Sequence, residues 1–367
     1  MNEITNREVL LWLNSIYISN KTVENMLTYF ENISDVWYLS AKEIMTIDWL
    51  KENVKERLIT HRNYDYLEKL KYIINEKDIS VITILDDEYP ERLKNIFEPP
   101  KVLYCKGKMT DEDELAIAIV GSRKATAYGK WASEKISGEL AKLGITVVSG
   151  LAKGIDTESH KGALKENGRT IAVLGSGIDN IYPRTNEQLF NEISRSGCIV
   201  TEYPMGAQPL ASNFPQRNRI ISGLSLGVIV IEAKERSGSL ITVEHAIQQG
   251  KEVFAVPGNI NSIYSVGTNK LIKDGAKIVT EVEDVLEEIN ELKTKIDIYN
   301  NEKKNIDYSS LSETEMMIVK CISEGPIHCD SIVYNTGLNI SVVNSTLTIL
   351  EIKGIIKELQ GKIYTLV

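Results

Sequence analysis

The sequence predicts an α/β protein: a doubly wound, mainly parallel sheet, preceded by a helical segment and followed by a winged-helix domain. Three observations carry the prediction. Between residues 115 and 280 seven apolar, β-branched runs follow one another, LAIAIVG, ITVVSG, RTIAVLG, CIVTEYP, GVIVIEA, KEVFAVPG and AKIVT. Most are separated by stretches of helical periodicity such as WASEKISGELAKLG and ITVEHAIQQG, which is how strands buried on both faces alternate with helical crossovers. The chain has no glycine before Gly107, so its front part is built differently.

In that front part Leu10, Leu11, Leu13 and Ile16, then Val23, Met26, Leu27 and Phe30, recur at helical spacing, and residues 1–76 are expected to form a small helical domain of the SAM or helix-hairpin-helix type. A DNA-binding hairpin of that type needs glycines that let backbone N–H groups approach phosphates. This segment has none, so a packing role is expected. SVITIL and KVLYCKG, around the turn-rich DDEYPERLKNIFEPP, read as two strands leading into the main domain, which is expected to span residues 77–290.

Residues 291–308 read as a linker, charged and nearly free of strand signal. From 309 to 367, LSETEMMIVKCISEG, HCDSIVYNTG and SVVNSTLTILEIKG give three helices, and IIKELQGKIYTL gives two strands around a Gln360-Gly361 turn. That is the order of a winged helix. Its recognition helix, Ile340 to Lys353, offers a major groove only Asn344 and, at its far end, Lys353. A protein-contact or structural role is therefore expected ahead of duplex DNA.

Composition narrows the function. The 367 residues are 43% hydrophobic and 25% charged, with a net charge of -9, which excludes a protein that coats nucleic acid by bulk attraction. Any polyanion site has to be local. The four cysteines are scattered singly, with no CxxC pair, and no leader pattern opens the chain, so a reducing cytoplasm is the expected compartment. No apolar run reaches the length of a membrane span.

In an open parallel sheet, ligands bind beyond the carboxyl ends of the strands. The first central strand ends in Gly121-Ser122-Arg123 and the second in Ser149-Gly150, without GxGxxG and without an acidic residue for a ribose. A dinucleotide site is excluded, and no cofactor is expected. What remains suits an anion. Gly121 and Ser122 are expected to offer N–H groups near a helix start, and Arg123 adds a two-pronged guanidinium. Gly175, Ser176 and Gly177 end the third strand, and Arg184 and Asn186 lie on the loop after it. FPQRNR sets Arg217, Asn218 and Arg219 before the fifth strand, and Ser237, Gly238 and Ser239 follow that strand.

Arg123, Arg184, Arg217 and Arg219 are four of only 11 arginines. Their competing reading is structural, a guanidinium holding a carboxylate such as Glu202 or Glu232. Arg217 and Arg219 lie two apart and face different ways on a helix, so one of them is a candidate for that role. Tyr182, Tyr203 and Phe214 are candidates for stacking on bases, or for packing their loops. The serines at the turns lack a His-Asp partnership, and no carboxylate or histidine cluster suggests a metal. His160 reads as a packing histidine, and no catalytic residue is assigned. The enzyme alternative is a nucleotide phosphoribohydrolase of the lysine-decarboxylase-like type, for which GSLITVE would supply Glu244.

The ordered set IAIVGSR, VVSGLAKGID with His160, TIAVLGSGID, IYPRTN, FPQRNRIISGLS, RSGSLIT, VFAVPGNI and GTNKLIKDGA resembles the DNA-processing protein A (DprA, also called Smf) family over residues 80–285. The resemblance implies an extended Rossmann fold that binds single-stranded DNA, forms a homodimer through that domain, and loads the recombinase RecA during natural transformation. By motif, Arg123 and Arg184 carry over as DNA contacts.

Overall fold

The computed structural model describes residues 3–295, 311–323, 325–353, 355–359 and 361–366. The chain forms two compact units, Met1–Ile296 and Asp297–Val367. Residues 296–310, which hold most of the expected linker, and Gln360 of the expected turn lie outside the described residues. No helix among the described residues is long and apolar enough to cross a membrane.

The first unit opens with six helices, α1 (Asn6–Ser15), α2 (Asn20–Tyr29), α3 (Asp35–Tyr38), α4 (Ala41–Met45), α5 (Glu52–Thr60) and α6 (Tyr64–Glu76). The starts of α1 and α4 are set by capping boxes, Thr5 with Glu8 and Ser40 with Glu43, each pairing two otherwise unsatisfied N–H groups. The helices bury Trp12, Leu13, Met26 and Leu67 in a core that continues into Val102, Tyr104, Ala172 and Ile199 on one face of the sheet. Polar bonds fix the join. The Tyr104 hydroxyl donates to Asn14 Oδ1 at 3.0 Å, and Asn14 Nδ2 donates to the Glu202 carbonyl at 3.0 Å.

The sheet is made of β1 (Ser80–Thr83), β2 (Val102–Gly107), β3 (Ala116–Val120), β4 (Thr146–Ser149), β5 (Thr170–Val173), β6 (Cys198–Thr201), β7 (Gly227–Val230), β8 (Glu252–Ala255) and β9 (Lys277–Ile278). All nine apolar runs of the sequence appear in it, in the order β1-β2-β6-β5-β4-β3-β7-β8-β9. β3 to β9 pair in parallel, while β1 and β2 add an antiparallel extension beside β6. Every residue of β3 to β7 is buried, as covered parallel strands require. The crossovers are α8 (Ala127–Lys142), α9 (Ile155–Lys165), α10 (Glu187–Ser196), α11 (Asn213–Gly223), α12 (Ser239–Gln248) and α13 (Val266–Lys273), with the short α7 (Glu91–Lys94) and α14 (Glu283–Glu288) at either end of the sheet region. The chain moves outward from β3 through β4, β5 and β6, then returns to its other side with β7, so the strand order reverses at β3.

FPQRNR is helical, in the first turns of α11. Pro215 stands at the third helical position, where its missing N–H removes no intrahelical bond.

The second unit is α15 (Glu313–Ile322), β10 (Ile327–His328), α16 (Cys329–Thr336), α17 (Ile340–Ile352), β11 (Ile356–Leu359) and β12 (Ile363–Leu366), a winged helix. The small strand β10 pairs with β12 and was not expected from the sequence. Along α17 the exposed positions include Ile340, Val342, Ile349 and Ile352, while Lys353 at its end is tied to Glu315 at 2.6 Å.

Candidate functional site

At the reversal of strand order, the carboxyl ends of β3, β4, β5 and β7 enclose an open cavity of about 540 Å³, the position at which doubly wound sheets bind ligands. Gly121, Ser122 and Arg123 line it from the end of β3, Arg217 and Asn218 from α11, and Ser237, Gly238 and Ser239 from the turn after β7. These eight predicted residues are brought together. Gly175, Ser176, Gly177, Arg184, Asn186 and Arg219 do not line it.

Each of the six has a physical reason to be elsewhere. Ser176 is buried and donates its hydroxyl to the Asn180 carbonyl at 2.7 Å. Asn186 is buried and donates to the Leu151 carbonyl and Thr157 Oγ1, both at 2.9 Å. Gly175 and Gly177 let loops meet: a Cβ there would stand 2.9 Å from the Phe214 ring and 2.6 Å from the Pro204 carbonyl. Arg184 is exposed on a short 3-10 turn after Pro183. Arg219 is 7% exposed and forms a two-pronged pair with Glu202, at 2.6 and 2.7 Å, while donating to the Glu98 carbonyl. It is the structural arginine of the two.

Arg217 is used differently. The residue is 3% exposed, and its guanidinium lies across the ends of two strands, donating to the Gly150 carbonyl at 2.7 Å and to the Val173 carbonyl. Burial lowers its pKa to about 10, so it stays charged at neutral pH. Beside it lies Asp156, at the start of α9, whose Oδ2 accepts the Ala152 N–H at 3.3 Å. The two groups press against Gly150, where a Cβ would be 2.7 Å from Asp156 Oδ2 and 2.8 Å from Arg217 Cζ. Burial raises the Asp156 carboxyl to about 6, against the pull of Arg217, the Ala152 and Gly150 N–H groups and Arg123.

The expected role of Ser122 needs correction. Its N–H is not offered to a ligand, because it donates to the Glu232 carbonyl at 2.8 Å, and its Oγ accepts the Lys124 N–H at 3.1 Å. The helix behind it starts only at Ala127, capped by Thr126. Glu232 in turn is held by the Thr126 N–H and hydroxyl, at 2.9 and 2.5 Å, and not by an arginine. Asn218 joins the cavity walls, accepting from Arg217 Nε and donating to the Gly238 carbonyl, both at 3.3 Å.

At the mouth, Arg123 is exposed and its Cζ stands 5.3 Å from the Phe214 ring centre. Tyr182, 46% exposed, tilts against Phe214 with ring centres 5.5 Å apart. Tyr203 is half-buried, with its hydroxyl donated to the Asn213 carbonyl at 3.1 Å, and it does not line the cavity. Three cations there were missed from the sequence: Lys124, Lys234 and Arg236. All three are exposed, and Lys234 and Arg236 directly follow the β7 segment, a signal that was available. The lining thus carries five cations, Arg123, Lys124, Arg217, Lys234 and Arg236, and one carboxylate, Asp156, in a chain of net charge -9. Glu244 is exposed on α12 and outside the cavity lining, which leaves the phosphoribohydrolase alternative without its base. His160 is fully buried, its Nδ1 is 2.7 Å from Thr170 Oγ1, and burial lowers its pKa to about 3.

Residues 80–290 match the family model described as DNA recombination-mediator protein A, and residues 304–362 match the DprA winged helix domain. The chain belongs to the DNA-processing protein A family. DprA of Bacillus subtilis is 43% identical over 245 residues, covering 66% of this chain and 82% of that protein. DprA of Streptococcus pneumoniae is 39% identical over 286 residues, covering 78% and 99%. Its X-ray structure superposes with a TM-score of 0.69 over 79% of this chain and 99% of that one. The DprA structure from Helicobacter pylori, described for its single-stranded DNA binding mode, is 32% identical with a TM-score of 0.52, over 60% of this chain and 97% of that one. This chain is accordingly a DNA-processing, recombination-mediator protein.

Proposed function

We propose that this chain binds single-stranded DNA in the cavity at the end of β3 and loads RecA recombinase onto it during natural transformation, acting as a homodimer through the sheet domain. One observation carries the binding reading: exposed cations stand with two aromatic rings, the exposed Tyr182 and the half-buried Phe214, at the mouth of a cavity floored by a buried arginine. Arg123, Lys124, Lys234 and Arg236 suit phosphates, and Phe214 and Tyr182 suit bases, the two requirements of single-strand binding. The single-stranded DNA binding mode described for the Helicobacter pylori relative supports the same ligand. Of the predicted contacts outside the cavity, Arg184 is the one left exposed, and it belongs to the proposed strand path. For the homodimer, the support is β9, which stands at the edge of the sheet with Ile278 half-exposed, a surface suited to self-association.

The test is fluorescence anisotropy with labelled oligothymidylate over a salt series. With roughly four to six phosphates contacted, log K should fall with log salt at a slope of about -3 to -4. Blunt duplex bound equally well, or a flat salt response, would overturn the reading. RecA loading is tested by RecA-dependent strand exchange on DNA precoated with single-strand-binding protein, where this chain should relieve the inhibition, and sizing tests the dimer.

A further inference from the structure

We propose that Tyr128 and Trp131, on the exposed side of α8, form a second contact for the same single strand and stack its bases beyond the cavity. This inference rests on the cavity reading. α8 leaves the cavity directly: Ser122, Arg123 and Lys124 line it, Thr126 caps the helix, and Tyr128 and Trp131 occupy the first two turns. Tyr128 lies four positions after Lys124, so the chain places the two within about 14 Å.

Tyr128 is 48% exposed and Trp131 53%, with ring centres 6.0 Å apart and planes inclined by 33°. Tyr128 Oη reaches the Pro257 carbonyl at 3.4 Å, which ties its ring toward the end of β8, the next strand end along the sheet edge. These rings face water without filling a core, and neither is needed to close the cavity. Their neighbours have the sign that a polyanion needs. Lys124, Lys130 and Lys135 are exposed, and Lys135 Nζ stands 5.5 Å from the Trp131 ring centre, although it also lies 3.8 Å from Glu139. The carboxylates close by are occupied: Glu134 pairs with Lys165 at 2.8 Å, and Glu232 is turned in to Thr126. Rings flanked by lysines, continuous with a cationic cavity, suit bases joined by phosphates better than an apolar protein surface.

Trp131 supplies its own probe. The other tryptophans, Trp12, Trp37 and Trp49, all lie in the front helical segment, where Trp12 is buried and the other two half-buried. Full-length protein titrated with an oligothymidylate of about twenty nucleotides should lose tryptophan fluorescence as a base stacks on Trp131. Trp131→Ala should weaken that oligonucleotide at least about fivefold while leaving one of about four nucleotides, which the cavity alone accommodates, unchanged. Trp131→Phe keeps a ring, so it should keep the affinity and lose the signal. Saturating the wild type without quenching, or a folded Trp131→Ala that binds both oligonucleotides normally, overturns the stacking platform and leaves the cavity reading intact. A wild type that binds neither oligonucleotide overturns both.

Discussion

The guanidinium carbon of Arg123 stands 5.3 Å from the centre of the Phe214 ring. Arg217 approaches the same ring at 5.8 Å, so one aromatic side chain relates the exposed cation of the cavity to its buried one. A cation held against a ring keeps its N–H donors. Arg123 is therefore oriented at the mouth with both prongs available, and among the described residues it has no carboxylate to release first.

Replacing Arg123 by alanine should weaken oligothymidylate binding by about 1.5 to 3 kcal/mol, the range for a hydrogen bond to a charged group. Arg123→Lys should regain only part of this, because a point charge does not reproduce a two-pronged contact. Anisotropy reads the affinity, and circular dichroism checks the fold. Wild-type affinity in a folded Arg123→Ala protein would move the interface elsewhere.

Arg219 should behave in the opposite way. Arg219→Met leaves the buried Glu202 carboxylate without its cation, and breaking such a pair destabilises by about 3 to 5 kcal/mol. The urea midpoint should drop accordingly, and adding Glu202→Gln should restore much of it. Affinity per folded molecule should stay the same. A binding loss without a stability loss would make Arg219 a DNA contact after all.

Asp156 predicts a pH dependence. Its folded pKa, near 6, is above the ordinary carboxylate value, so its contribution to stability is present in acid and is lost as pH rises through 6. A phosphate entering beside it raises that pKa further, so binding takes up a proton. Affinity should increase as pH falls from 7.5 to 5.5 in the wild type and change less in Asp156→Asn. The other groups facing Asp156 are Arg217 and Arg123, with His160 close to Arg217. Arg217, with its pKa near 10, stays charged and His160, near 3, stays neutral throughout that range, so parallel pH profiles for wild type and Asp156→Asn would refute the assignment.

Removing residues 305–367 should leave oligothymidylate affinity within a few fold. The exposed positions of α17 are isoleucine, valine, serine, threonine, Asn344 and Glu351, with no cation among them, and Lys353 at its end is engaged by Glu315. A loss of tenfold, about 1.4 kcal/mol, would assign DNA contact to the winged helix.

The sheet was legible because its strands are buried on both faces and written as unbroken apolar runs, each strand declaring itself. β10 was not: two residues, Ile327 and His328, are a strand only because β12 pairs with them. The cavity was legible at Arg123 and at the Ser237-Gly238-Ser239 turn, since both follow strand ends directly. The fates of Arg217 and Arg219 were not legible beyond the expectation that one is structural, because their partners come from distant segments, Gly150, Val173, Glu98 and Glu202. Asp156 escaped notice for a related reason. A carboxylate in a cationic pocket is meaningful only once Arg217 is seen beside it.

The Glu202 carboxylate also sets an order in time. It accepts from Asn20, 182 positions earlier in the chain, and from Arg219, 17 positions later. At ribosomal speeds of about 5–20 residues per second, roughly ten to forty seconds pass between the emergence of Asn20 and that of Glu202. Well before its end the helices at the front have left the ribosome, and the sheet face that covers their apolar side stays incomplete until β6 joins β2 to β5. The front helices are thus sealed only once β6 has been made, and a nascent chain stalled before β6 presents that uncovered surface to the cell's chaperones and proteases.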